Sequence, residues 1–449
     1  LAGDAATIIT GGTVVPGGLD AEPVENGGVA IVDGVIREVG PSAGLGEKYG
    51  RATVVDASGG LVMPGLINAH THLYSALARG MTADVAPSSS FVEILEHLWW
   101  RLDRALTLED VRVSAAVGAI DLIRNGTTTI VDHHASQVAV TDSLSAVAAG
   151  LADVGLRANL CFEVSDRGGP ASRDDGLKEN ERFAEWAAGR TADRGLFTAS
   201  VGLHASLTLE DATIERAAGI ARDHGIGCHV HVAEDRADVE DSLARSGMRV
   251  VERLGSLGVL GEKTVGAHCV HIDERERTLL RETRTCVAHN PQSNMNNAVG
   301  CADVPALLDE GVLVGLGTDG FTPSMFDEAK AANLIHRHQA GDPRVGHDVA
   351  RRLLMEGNPA IASRLFGRAL GRIEPGAVGD VIVLDYTPPT PLARENFAGH
   401  LLFGLTGWMV ETVVVGGKVV MHERELTGVD PDEVAAVARE RARALWARM

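Results

Sequence analysis

Two pairs of histidines stand two residues apart in apolar runs: His70 and His72 in LVMPGLINAHTHL (61–73), and His229 and His231 in CHVHVAED (228–235). Residues two apart on a strand share a face, so each pair can present two imidazoles to one metal ion. In a chain with 17 histidines, chance explains either pair taken alone. Of the second pair, the outer residue His231 is placed to reach a metal at a strand end, with His229 one layer deeper as a hydrogen-bonding core residue. Glu234 follows three residues later, within reach of an activated water or a substrate; the plainer alternative is a solvated loop carboxylate. In GAHCVH (266–271), His268 and His271 fall on opposite faces of a strand, and His268 is taken as the inward one. Asp319, in LGLGTDG (314–320), can complete a ligand set and accept a proton from water, or can serve only an Asx turn. Three histidines and one aspartate around an ion with an open position constitute hydrolytic chemistry.

Other candidates concern the substrate. His204 and the pair His133-His134 end apolar runs. The stretch His289-Asn290-Pro291-Gln292-Ser293-Asn294-Met295-Asn296-Asn297 is dense in amides, which suit a polar heterocycle with several ring nitrogens and carbonyls. Gln292, Asn294 and Asn296 are therefore candidate contacts, with His204. Trp99, beside Trp100 in a long stretch over 74–107, could close over a flat ring or pack as helix surface.

These groups need a scaffold that brings strand ends together. From residue 61, short apolar runs alternate with amphipathic ones. Strands are expected at 61–69, 127–134, 157–164, 197–204, 227–233, 264–271, 285–290 and 312–318, and helices at 108–124, 209–223, 237–256 and 326–339. Eight βα units over roughly 280 residues predict an α/β fold, a (β/α)8 TIM barrel, whose active sites lie at the C-terminal ends of the strands. Short strands with Gly and Asp turns fill 6–57 and return in 379–386 and 410–424. They predict a small β-sandwich domain built from both chain ends (1–60 and 371–430), with the barrel (61–370) inserted and a solvated C-terminal helix at 431–449. Pro64-Gly65 would mark the handover.

With 449 residues, 45% hydrophobic and 23% charged, the chain is globular rather than disordered. A formal net charge of −20 argues against nucleic acid or an anionic membrane as partner. No apolar run is long enough to span a bilayer. The start of the chain shows no basic region followed by an apolar core. Five cysteines without CxxC spacing read as free thiols in a reducing compartment, which predicts a cytoplasmic protein.

Taken in order, INAHTH, HVHVAED, GAHCVH, HNPQSNMNN and GTDG resemble the amidohydrolase superfamily. The resemblance is to its aminohydrolase branch, which holds chlorotriazine hydrolases, adenosylhomocysteine deaminases and oxoguanine deaminases. LWWRLDRAL (98–106), VDHHAS (131–136), SNMNNAVG (293–300) and NFAGHLLFG (396–404) are more narrowly similar to the SsnA aminohydrolases. The resemblance implies metal ligands at His70, His72, His231 and Asp319, an acid/base at Glu234, a polarising histidine at His268 and a substrate contact at His204. The fourth strand, FTASVGLHA (197–205), has no lysine to bridge two metals, so one divalent ion is expected, zinc before iron. The implied activity is deamination of an aminated N-heterocycle such as a purine, pterin or triazine. Hydrolysis of a cyclic amide, displacement of a non-amine ring substituent, and a non-catalytic scaffold are the alternatives. A homo-oligomer, dimer or larger, is the assembly such relatives suggest.

Overall fold

The computed structural model describes residues 6–17, 22–82, 87–189 and 195–449. The leading residues 1–5 and the part of the 74–107 stretch at 83–86 lie outside the described residues.

The chain opens with β1 (Ala6–Val14), β2 (Val24–Val32), β3 (Val35–Pro41), β4 (Thr53–Asp56) and β5 (Leu61–Pro64). The barrel strands follow: β6 (Leu66–Thr71), β7 (Thr127–His134), β8 (Arg157–Phe162), β9 (Phe197–Ala199), β10 (Val201–Ala205), β11 (Cys228–Val232), β12 (Val265–His268), β13 (Cys286–His289) and β14 (Val314–Leu316). β9 and β10 are one barrel strand interrupted at Ser200, which leaves eight parallel staves. β6 to β9 and β10 to β14 form two parallel sheets. Bridges between Val164 and Leu203 and between Thr71 and Asp319 close them into a barrel. Every residue of β7, TTTIVDHH, is buried, as expected of a parallel strand covered on both faces.

The remaining strands, β15 (Val381–Leu384), β16 (Val410–Val415), β17 (Lys418–His422) and β18 (Glu425–Leu426), join the first five in one nine-stranded mixed sheet. The two chain ends meet where β15 runs antiparallel to β5. The expected strand 61–69 is thus two strands: 61–64 pairs with the chain-end sheet and only 66–71 enters the barrel. Gly65 makes the turn between them possible, because a Cβ there would lie 2.2 Å from Thr128 Oγ1.

Arg157 on β8 ties sheet to barrel. Its Nε and Nη2 donate to Asp380 at 3.1 Å each, both side chains being 1% exposed. Asp380 also accepts from Gly416 N at 2.6 Å. Deleting one member of a buried pair strands the other charge, at a cost of about 3–5 kcal/mol. Asp380→Ala should therefore lower the denaturant midpoint by that equivalent. An unchanged midpoint would show that the pair does not hold the two sheets together.

Helix Leu108–Arg124 has the expected bounds and starts on a capping box between Thr107 and Asp110. The expected helix 237–256 breaks in two, Arg236–Ser246 and Val250–Ser256, because Gly247 takes a left-handed φ of 71°. The C-terminal helix Pro431–Trp446 is docked rather than solvated: Arg441 and Arg448 both pair with buried Asp110, and Trp446 Nε1 donates to Leu77 O at 2.9 Å. The 74–107 stretch is largely helical where described, with Leu73–Ala78, Phe91–Ile94, Leu95–Trp99 and Trp100–Ala105 lying over the barrel mouth. Among the described residues, no helix is long and apolar enough to cross a membrane.

Candidate active site

Three ring nitrogens and one carboxylate converge at the C-terminal ends of β6, β11 and β14. His72 Nε2 lies 3.1 Å from His231 Nε2 and 3.1 Å from Asp319 Oδ1, and His70 Nε2 lies 3.7 Å from the same oxygen. The opposite nitrogen of each ring is anchored. His72 Nδ1 donates to His133 O at 2.6 Å and His231 Nδ1 to His204 O at 2.8 Å. His70 Nδ1 faces His229 Nε2 at 2.9 Å, so His229 sits one layer below the rim, as expected. Such anchoring fixes ring orientation and aims each Nε2 at the common point.

The donor set fits a divalent cation. His70 Nε2 is buried and has no hydrogen-bond partner among the described residues. Burial and its histidine neighbours hold His70 well below the usual imidazole range, hence neutral and able to donate a lone pair. Burial opposes charge on His72 too, but the Asp319 carboxylate overcomes it and pushes that ring up to about 9. A proton shared between His72 and Asp319 stands where four converging donors call for a cation.

Beside this cluster stand the groups that can move protons. Glu234 Oε2 is 3.5 Å from His268 Nε2, which is 3.9 Å from Asp319 Oδ2. Burial, then the charge of Asp319, raises Glu234 well above the usual carboxylate range, which favours its protonated form. Asn297 Nδ2 donates to its Oε1 at 3.2 Å. Burial lowers His268 to about 4, so the ring is neutral. Asn294 Nδ2 sits 2.8 Å from His268 Nδ1; with that nitrogen accepting, the ring's proton is on Nε2, on the side of Glu234 and Asp319. In that form the Nε2 of His268 can donate a hydrogen bond. The rim is strained: Ala233, His268, Cys269 and Asp319 all have left-handed φ (45°, 71°, 52° and 54°), a conformation that costs a non-glycine residue about 1–3 kcal/mol and recurs at functional sites.

The cleft above encloses about 880 Å³ counting its open mouth. Trp99, Trp100, Phe91, Leu95, Leu207 and Phe321 form its apolar wall. His204 lines it too: its Nδ1 donates to Thr208 Oγ1 at 2.7 Å, which leaves Nε2 as an acceptor toward the cleft. Of the expected amide contacts only Asn296 lines the cleft. Gln292 and Asn294 do not, because Pro291–Asn296 is a helix and not an extended loop. Its turn buries Asn294 against His268, sets Gln292 outside the lining, and brings Ser293, Asn296 and Asn297 to the cleft instead. Ser293 donates to Asp319 Oδ2.

One lining group had no place among the sequence candidates: Glu163, just past the end of β8 and 4% exposed. Burial works against its charge, but His204, His133 and Arg167 hold it well below the usual range. Arg167 also pairs with Asp103 at 2.9 Å and lies 4.5 Å over the Trp100 ring. The available signal was positional: in RANLCFEVSDR, Glu163 is the first charged residue after a barrel strand.

A model described as "Amidohydrolase family" matches residues 61–420. The 5-methylthioadenosine/S-adenosylhomocysteine deaminase of Syntrophomonas wolfei is 32% identical over 436 residues, covering 94% of this chain and 95% of its own. The 5'-deoxyadenosine deaminase of Methanosarcina mazei is 32% identical over 434 residues, covering 96% of each. Among solved structures, an adenosine deaminase from Xanthomonas campestris with bound zinc superposes with a TM-score of 0.86 at 26% identity, over 98% of both chains.

Proposed function

The chain belongs to the amidohydrolase family, and on that premise we propose that it is a hydrolytic deaminase of an aminated purine, an adenine nucleoside first, or a closely similar N-heterocycle. His70, His72, His231 and Asp319 would hold one Zn2+ ion. The observation that carries this reading is the placing of Glu234 and Asp319 at 3.5 and 3.9 Å from His268 Nε2, beside those ligands. It agrees with the deaminase relatives, which span nearly the whole chain.

A divalent ion held by these residues would lower the pKa of a water molecule toward about 7. The chain's own residues do the rest. Asp319 Oδ2 accepts a proton from the attacking water. Glu234, held protonated by its surroundings, donates to the ring nitrogen beside the attacked carbon. The C–O bond forms and the C–NH2 bond breaks; the proton held by Asp319 leaves with ammonia, and the remaining proton of water restores Glu234. His268 donates from Nε2 to the oxygen as negative charge develops on it, a contribution that is greatest in the transition state. His204 offers Nε2 to an N–H or O–H of the substrate, while Trp99 and Trp100 cover the ring and exclude bulk water.

Ammonia release from zinc-loaded protein tests the reading, across adenosine, 5'-deoxyadenosine, 5-methylthioadenosine, S-adenosylhomocysteine, free aminopurines, pterins and triazines. Product without ammonia would replace deamination with ring opening or displacement of another substituent. His229→Asn should weaken metal affinity by about 10–100-fold, because it removes the group that orients His70; competition with a chelator measures this. Sedimentation of the purified chain tests the homo-oligomer.

A further inference from the structure

A second cluster of metal-type donors lies outside the cleft. Asn290 turns inward to within 3.4 Å of His268. Its neighbour His289, the last residue of β13, must therefore face outward, into the layer between the barrel wall and its helices. There it meets His336, on helix Met325–Ala340, with ring centroids 5.0 Å apart. Cys301 Sγ, from the segment that follows Pro291–Asn296, lies 3.8 Å from His336 Nδ1. One donor atom from each of the three residues falls within 4.8 Å of the other two. Donors 2.0–2.3 Å from a tetrahedral zinc stand about 3.3–3.6 Å apart, so small side-chain shifts bring these three to binding distance, with water free to take the fourth position.

The cluster is unsatisfied as it stands. His289 is fully buried, and among the described residues neither of its ring nitrogens has a hydrogen-bond partner; His336, 3% exposed, leaves Nε2 unpaired. A neutral imidazole always carries one N–H, and burying it unpaired costs about 1–3 kcal/mol. Such groups call for an occupant. Cys301 is only partly buried and offers a way in.

We propose that His289, Cys301 and His336 form a structural site for one Zn2+ ion, separate from the catalytic one. Two neutral imidazoles and a thiolate are a borderline donor set that suits zinc. Binding displaces the Cys301 thiol proton to solvent and forms a Zn–S bond, with no change of oxidation state. The ion would pin the segment leading from Asn297 to the helix and so steady the hydrogen bond from Asn297 to Glu234.

The test uses the full chain reconstituted with Co2+. The catalytic ligand set contains no sulfur, so a sulfur-to-cobalt charge-transfer band reports this site alone. The expected result is two ions per chain and a band that Cys301→Ser abolishes along with one ion. Asp319→Asn should keep the band while losing the other ion, which separates the fate of this site from that of the catalytic reading. Wild-type protein saturated with cobalt that shows no such band would overturn the proposal.

Discussion

Asp319→Asn should leave a folded protein that neither retains the catalytic ion nor turns over. Asp319 is the only anion in the proposed ligand set. Its Oδ1 lies 3.1 Å from His72 Nε2 and 3.7 Å from His70 Nε2, while Oδ2 accepts from Ser293. An amide keeps the shape but loses the charge that balances a dication in a buried pocket. It also loses the base that takes the proton from water. Several kilocalories per mole of stabilisation go with the ion, and each 1.36 kcal/mol is tenfold in rate. The expected fall in kcat is thus at least about 10³-fold, with one ion fewer per chain by elemental analysis and an unchanged circular dichroism spectrum. Turnover above a tenth of wild type would remove Asp319 from the ligand set.

Glu234→Gln separates binding from proton transfer. Glu234 stands 3.5 Å from His268 Nε2 and accepts from Asn297, but it is not among the four proposed ligands, so the ion should stay. Gln preserves the size of the side chain and cannot deliver a proton. General acid–base catalysis contributes about 10²–10⁴-fold, and kcat should fall by that factor while metal content holds at the wild-type value. KM should change less than kcat, because the lost interaction strengthens in the transition state. Wild-type rates on a substrate that releases ammonia would exclude Glu234 as the proton donor.

Much of this is legible in the amino-acid sequence. The period-two spacing of His70/His72 and His229/His231 reflects strand geometry, and eight apolar runs separated by amphipathic ones leave few architectures besides a barrel. Placing His231 at the rim and His229 beneath it required only the knowledge that the outer residue of a strand end reaches the site. Other features escaped because they depend on what local sequence does in a folded context. Amide density suggested that Gln292 and Asn294 meet a substrate, but Pro291 starts a helix there and turns both away from the cleft. The run 61–69 is continuous in hydropathy, yet Gly65 divides it between two sheets because Thr128 leaves no room for a side chain.

What the residues determined by themselves is local: which faces strands present, where helices begin and end, and which chemical groups lie at strand ends. Bringing His70, His231 and Asp319 to one point required barrel closure, through the bridge between Thr71 and Asp319. Only the tertiary structure decided that Glu163 would be buried beside His133 and His204, that His268 would lie between Asn294 and Glu234, and that His289, Cys301 and His336 would meet. Those outcomes rest on contacts between segments far apart in the chain, where burial and neighbouring charge set protonation and hydrogen-bond roles. Neither quantity is encoded in the spacing of residues along one strand.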